Sequence, residues 1–115
     1  MKLTTVKELL DAQVLTSTPW EETEVNSAFG CDLMSDVLAF VKDQSLLLTG
    51  LVNPQVIRTA EMLDIRAIVF VRGKRPTEEM VELGNNLNMI IMCTENSLYV
   101  SSGRLFSQGL AGNGE

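Results

Sequence analysis

Three apolar runs constrain this chain more than any other feature: "SLLLT" at 45–49, "AIVFV" at 67–71 and "MIIM" at 89–92. A strand with one face in water alternates apolar and polar residues, whereas a strand covered on both faces reads as an unbroken apolar block. Each run here is unbroken, and each is followed by a turn signal and then by apolar residues at helical spacing. From residue 25 onward the order is strand, helix, repeated four times. Such alternation with short connections implies right-handed crossovers and a parallel sheet. The fold class predicted is α/β, a three-layer α/β/α arrangement with a mainly parallel sheet, and 115 residues suit a single domain.

The remaining elements follow from local signals. A first helix is expected over about 4–12, with Thr5 and Glu8 as a capping box and Val6, Leu9 and Leu10 as its stripe. "QVLT" (13–16) reads as a short strand, "STPWEETE" as a polar loop with Pro19 and Trp20 at its rim, and "VNSAFG" (25–30) as a strand. "CDLMSDVLAFVK" then reads as a helix capped by Asp32, with Met34, Val37, Leu38 and Val41 inward. Asn53 caps the next helix, with Pro54 in its first turn where a missing N–H costs nothing. Val56, Ile57, Ala60 and Leu63 form its packing face. Thr77 caps a helix to about Leu87, a last helix covers about 97–108, and 111–115 read as a frayed tail.

Charge and composition narrow the function. The chain carries 9 Lys and Arg against 15 Asp and Glu, a net charge of −6. Nucleic acid as main partner is therefore not expected, because phosphate binding needs clustered cations. The charge is uneven: −5 over residues 1–43, +3 over 44–76 and −4 over 77–115. A basic middle between acidic flanks suits an anion site or a self-complementary surface, or simply a solvated face. The N-terminus lacks the apolar core of a signal peptide, and no apolar run approaches a membrane span, so a cytoplasmic protein without membrane partner is expected. Cys31 and Cys93 show no paired spacing and histidine is absent, which argues against a disulfide scaffold, a zinc site or another metal.

In a parallel sheet, ligands gather beyond the carboxyl ends of the strands. That edge collects "FGCDLMSD", "TGLVNP", "VRGKRPT" and "MCTENS". Candidate ligand-binding residues are Asp32, Thr49, Gly50, Asn53, Arg72, Lys74, Arg75 and Thr94. Thr49-Gly50 could offer N–H groups and a hydroxyl to a phosphate at a helix start. The glycine is single and no Lys-Ser/Thr follows, so the turn is neither a dinucleotide fingerprint nor a P-loop. Its other reading is a plain strand–helix connection. Arg72, Lys74 and Arg75 around Gly73 could hold a phosphate or carboxylate. Without histidine, and with no base beside either cysteine, catalysis is poorly supplied; no catalytic residue and no cofactor are expected.

The stretch from "FGCDLMSD" through "TGLVNPQVIRTAEMLDIRAIVFVRGK" to "SSGRLF" resembles the DRTGG domain family, over about residues 3–110. Asp32 matches that family's Asp, and Thr49-Gly50 its Thr and first Gly. Leu33 stands at the Arg position and Leu51 at the second Gly. The resemblance implies a fold similar to the N-terminal domain of HPr kinase/phosphorylase. It also implies a regulatory or dimerising module, a homodimer acting through a protein partner or a small anionic ligand. The alternative is a nucleotide- or phosphate-binding sensor built on the Thr49-Gly50 turn and the Arg72–Arg75 loop. Related domains sit beside CBS pairs in family II inorganic pyrophosphatases and at one end of some phosphotransacetylases. The P-loop that carries kinase chemistry is not among these residues, so no kinase activity is expected.

Overall fold

A computed structural model describes residues 1–41 and 45–113. Its elements are α1 (Leu3–Leu10), β1 (Gln13–Val14), β2 (Ser27–Gly30), α2 (Met34–Phe40), β3 (Ser45–Thr49) and α3 (Pro54–Met62). They continue with β4 (Ala67–Phe70), α4 (Glu78–Asn86), β5 (Ile90–Cys93), α5 (Leu98–Ser107) and β6 (Ala111–Gly112). One sheet of six strands runs in the order β1-β5-β4-β3-β2-β6. All neighbouring pairs are parallel except the edge pair of β1 and β5.

Every residue of β3, β4 and β5 is buried, as the unbroken apolar runs require. Their side chains alternate between two cores. Leu46, Leu48, Val69 and Met92 pack with α1 residues Leu3, Val6 and Leu10 and with Leu105 of α5. Leu47, Ile68, Phe70 and Ile91 pack with Val37 of α2, Val56 and Ile57 of α3, and Met80 of α4. The result is the expected three layers, with α2, α3 and α4 on one face and α1 and α5 on the other. Asn53 and Thr77 cap α3 and α4 as their positions predict, accepting from Gln55 N and Met80 N.

Several local expectations are corrected. The Thr5/Glu8 capping box does not form: α1 begins at Leu3, and its N-cap Lys2 makes no side-chain cap. Instead Leu3 N donates to Thr23 O at 2.9 Å, and Met1 and Val25 exchange backbone hydrogen bonds. A neighbouring segment thus supplies the acceptor that the local box would have given. Asp32 does not cap α2; Leu33 holds that position without a side-chain cap. Leu38 faces outward, 42% exposed, because Met34, Val37 and Val41 complete the inward stripe of a helix only 7 residues long. The tail is not frayed over 111–113. Leu110 is buried, Ala111 and Gly112 pair with Ser27 and Ala28, and Asn113 Nδ2 donates to the hydroxyls of Ser27 and Ser45. Residues 114–115, and Lys42 at the predicted end of α2, lie outside the described residues.

Ser101 of α5 is fully buried and its hydroxyl has no hydrogen-bond partner among the described residues. A buried hydroxyl without a partner carries its desolvation cost uncompensated. Ser101→Ala is therefore expected to stabilise the fold by about 0.5–1 kcal/mol, with alanine's better helix propensity acting in the same direction. Thermal unfolding checks this, and a lowered midpoint would contradict it.

Candidate functional site

Along the sheet, β2, β3 and β4 each send their following helix to the same face, whereas β5 sends α5 to the other. The carboxyl ends of β4 and β5 are thus the topological switch point, where a crevice opens in folds of this type. The β3–α3 turn lies beside it. These two places hold all eight predicted site residues except Asp32, which follows β2.

The turn is the better-defined of the two. Asp32 reaches across from the end of β2, and one oxygen, Oδ1, accepts from the Thr49 hydroxyl at 2.9 Å and from Gly50 N at 2.7 Å. The Thr49 oxygen in turn accepts from Leu51 N at 3.2 Å. Asn53 Oδ1 takes Gln55 N at 2.8 Å, and Asn53 O takes Val56 N at 3.0 Å. An anion entering this helix start would look for free N–H groups and a partial positive charge. Here the amides of 50, 51, 55 and 56 all donate to oxygens of the chain itself, and a carboxylate already occupies the anion position. A phosphate would have to displace Asp32 or bind against its charge.

Gly50 is not required by backbone geometry. Its φ is not in the left-handed region, and a Cβ there would meet Asp32 Oδ2 at 3.7 Å, an ordinary contact. Gly73 differs: its φ is +68°, and a Cβ would lie 2.6 Å from Glu95 Oε2.

The switch-point crevice is largely closed by backbone. Arg72 N donates to Asn96 O at 2.7 Å, and Gly73 N to Thr94 O at 2.9 Å, joining the two loops. Thr94 is buried; its hydroxyl donates to Leu10 O, the acceptor that Asn96 Nδ2 also uses at 2.9 Å. Thr94 therefore anchors α1, and it also lines what remains of the crevice. Arg75 turns toward the β1 edge, where Nη1 donates to Gln13 Oε1 at 3.1 Å and Cys93 Sγ at 3.4 Å. What remains of the crevice is a cavity of ≈ 150 Å³, lined by Asp11, Gln13, Gly73, Arg75, Cys93, Thr94 and Glu95. Arg72 and Lys74 are exposed, and among the described residues their side chains make no ion pair or hydrogen bond. Of the predicted site residues, then, Asp32, Thr49 and Gly50 form one cluster and Asn53 caps its helix. Thr94 anchors α1, Arg75 bonds to Gln13 and Cys93, both line the remaining cavity, and Arg72 and Lys74 stand in solvent.

The cysteines do not meet. Cys31 follows β2 and Cys93 ends β5, with β3 and β4 between them, and both thiols are free. Burial pushes the Cys93 thiol above its ordinary value, the Arg75 guanidinium opposes this, and Glu95 adds to the rise. Among the described residues no three His, Cys, Asp or Glu gather as for a metal ion, and no helix is long and apolar enough to cross a membrane.

Sequence reasoning missed the outer face of α5. Tyr99 and Phe106 are 87% and 69% exposed, and they flank an apolar groove of ≈ 360 Å³ beside β2 and β6. The signal was there in "YVSSGRLF": Tyr99, Ser102, Gly103 and Phe106 share one face, while Ser101 and Leu105 share the buried one.

No protein-family model and no curated protein sequence matches the chain. Among solved structures, it matches the regulatory region of Clostridium perfringens pyrophosphatase. That structure comprises CBS and DRTGG domains in complex with the activator diadenosine tetraphosphate. The TM-score is 0.72 at 15% identity, covering 96% of this chain. The chain spans about half, 47%, of that structure's chain. At this identity the likeness establishes the fold, a DRTGG-like α/β/α domain.

Three outcomes follow from this geometry. Asp32→Ala removes the acceptor of two hydrogen bonds and is expected to cost about 1–2 kcal/mol, the lower half of the range for charged hydrogen bonds because Asp32 is exposed. Gly50→Ala should change stability by less than ~1 kcal/mol, while Gly73→Ala should cost about 1–3 kcal/mol from its left-handed backbone and the Glu95 clash. Denaturant titration ranks the three; an intolerant Gly50 with a tolerant Gly73 would contradict the geometry. The raised Cys93 thiol stays protonated at neutral pH. Its contribution to stability is fully present below the ordinary thiol range and is lost as pH rises through the folded-state value. Disulfide-reagent labelling at mildly alkaline pH should modify half-buried Cys31 first, and Cys93 only as the fold opens.

Proposed function

We propose that this chain is a regulatory contact module that binds without turnover, and that its working surface meets protein instead of capturing a phosphate in the β3–α3 turn. One observation carries this reading: Asp32 fills the position an anion would take, with Gly50 N at 2.7 Å and the Thr49 hydroxyl at 2.9 Å already donating to it. The residues that match the DRTGG signature thus serve to tie two neighbouring strand exits together. The match to a pyrophosphatase regulatory region, at the level of fold, supports a regulatory role over a catalytic one.

A second reading keeps a nucleotide or polyphosphate ligand, and it rests on Arg72 and Lys74. These exposed cations at the switch point could meet phosphate oxygens from above, outside the turn. The pyrophosphatase region was captured with a dinucleotide polyphosphate, although that ligand belongs to a region twice the span matched here.

Thermal unfolding against inorganic phosphate, pyrophosphate, ATP and diadenosine tetraphosphate separates the two. A ligand at ~100 times its dissociation constant adds roughly 2.7 kcal/mol, which for a domain of this size moves the midpoint by about 10–20 °C. The contact-module reading predicts a flat panel. A clear shift that disappears in the Arg72→Ala/Lys74→Ala double variant would overturn it in favour of the sensor.

A further inference from the structure

The strand order brings three connections together at the switch point: the α1–β1 turn with Asp11 and Gln13, the β4–α4 loop with Gly73 and Arg75, and the β5–α5 loop with Glu95. They border the cavity of ≈ 150 Å³, room for about five waters at ~30 Å³ each. One guanidinium and two carboxylates line it, yet among the described residues Arg75, Asp11 and Glu95 form no ion pair. Arg75 uses only Nη1, toward Gln13 Oε1 and Cys93 Sγ, so the N–H groups of Nε and Nη2 stay open. The carboxylates of Asp11 and Glu95 accept no hydrogen bond among the described residues. The backbone makes room for this arrangement: a Cβ on Gly73 would lie 2.6 Å from Glu95 Oε2. Arg75 and Glu95 also act on the Cys93 thiol in opposite directions, which sets both charges around one sulfur.

We propose that this cavity binds a small zwitterion, a free α-amino acid of the size of glycine, alanine or serine, with its carboxylate on Arg75 and its ammonium group between Asp11 and Glu95. Charge selects the class of ligand. A phosphate would face two carboxylates for one guanidinium, on a chain whose net charge is already −6. A divalent cation would face the guanidinium, and among the described residues no three His, Cys, Asp or Glu gather as for a metal ion. An apolar molecule would strip water from three charges and return no hydrogen bond. A molecule carrying both signs a few bonds apart answers all three.

Donors and acceptors balance on this assignment. The open edge of a guanidinium, Nε with Nη2, is the fork that takes both oxygens of a carboxylate. An ammonium group brings three donors, and two carboxylates supply the acceptors. The cavity volume leaves little beyond the amino-acid backbone and a short side chain. Such a ligand would brace β1, an edge strand of only 2 residues, against both switch-point loops. It adds a small effector to the contact-module reading and does not depend on it.

The test titrates the full ¹⁵N-labelled chain with glycine and L-alanine, and with acetate and methylammonium as one-ended controls, each up to about 10 mM. The amides of Gly73, Thr94 and Glu95 should move saturably with both zwitterions, and either control should bind at least ~10-fold more weakly. Arg75→Gln should weaken glycine binding at least ~10-fold, but it also releases Gln13 and Cys93. Glu95→Gln keeps the test decisive where that variant loosens β1: its side chain holds no other group, so the unfolding midpoint should stay while glycine affinity falls at least ~10-fold. Arg58→Ala, which removes an exposed cation of α3, should leave the affinity unchanged. No saturable movement with either zwitterion, an affinity indifferent to Glu95→Gln, or acetate binding as tightly as glycine would overturn the proposal. Amino acids without effect beside a flat phosphate and nucleotide panel would sink this inference alone and leave the contact-module reading standing.

Discussion

Covering both faces of β3, β4 and β5 is the constraint from which the rest of this structure follows. No polar side chain interrupts these strands except Ser45, Thr49 and Cys93 at their ends, so neither face can be left to water. Three successive crossovers put α2, α3 and α4 on one face. The opposite face must then be closed by α1 and by a helix crossing back over the sheet, and α5 does this on its way from β5 to β6. Two helices cover that face where three cover the other. The flank of α5 that looks away from α1 is left without a neighbour, and it is there that Tyr99 and Phe106 stand.

The same topology brings the end of β2 beside the end of β3, and Asp32 exploits it. A carboxylate on a neighbouring loop satisfies Gly50 N and the Thr49 hydroxyl, which frees the β3–α3 turn from needing either a bound anion or a left-handed glycine. Turns of this shape hold phosphates in many α/β proteins because their amides are unpaired. This one has the shape, but the amides of Gly50, Leu51, Gln55 and Val56 already have acceptors within the chain. The Asp, Thr and Gly that the DRTGG resemblance singles out, separated by 17 and 18 positions, are one hydrogen-bonded unit.

How much of this was legible in the sequence depended on whether a signal was local. The strands β3–β5 were, because two-sided burial leaves an unbroken apolar run, and so were the caps Asn53 and Thr77, which bond within three residues. Asp32 misled because an Asp before a helix is the usual N-cap, and a partner 18 positions away outcompeted it. Thr5 and Glu8 misled similarly, since the pairing of residues 1–3 with 23–25 had already supplied the acceptor. The glycine-rich tail concealed β6, which is held by the edge of β2 and by Asn113, not by its own propensity. The three-cation loop looked convergent in sequence, yet the Gln13 side chain draws Arg75 away. Thr94 belongs to the core by virtue of Leu10, a contact 84 positions distant.

Backbone amide shifts of ¹⁵N-labelled protein test the central claim most directly, followed as pyrophosphate is added. The account predicts that the amides of Gly50 and Leu51, already paired with Asp32 and Thr49, stay still throughout. Saturable movement of Gly50 and Leu51 on pyrophosphate would show a ligand site in the turn and would contradict it.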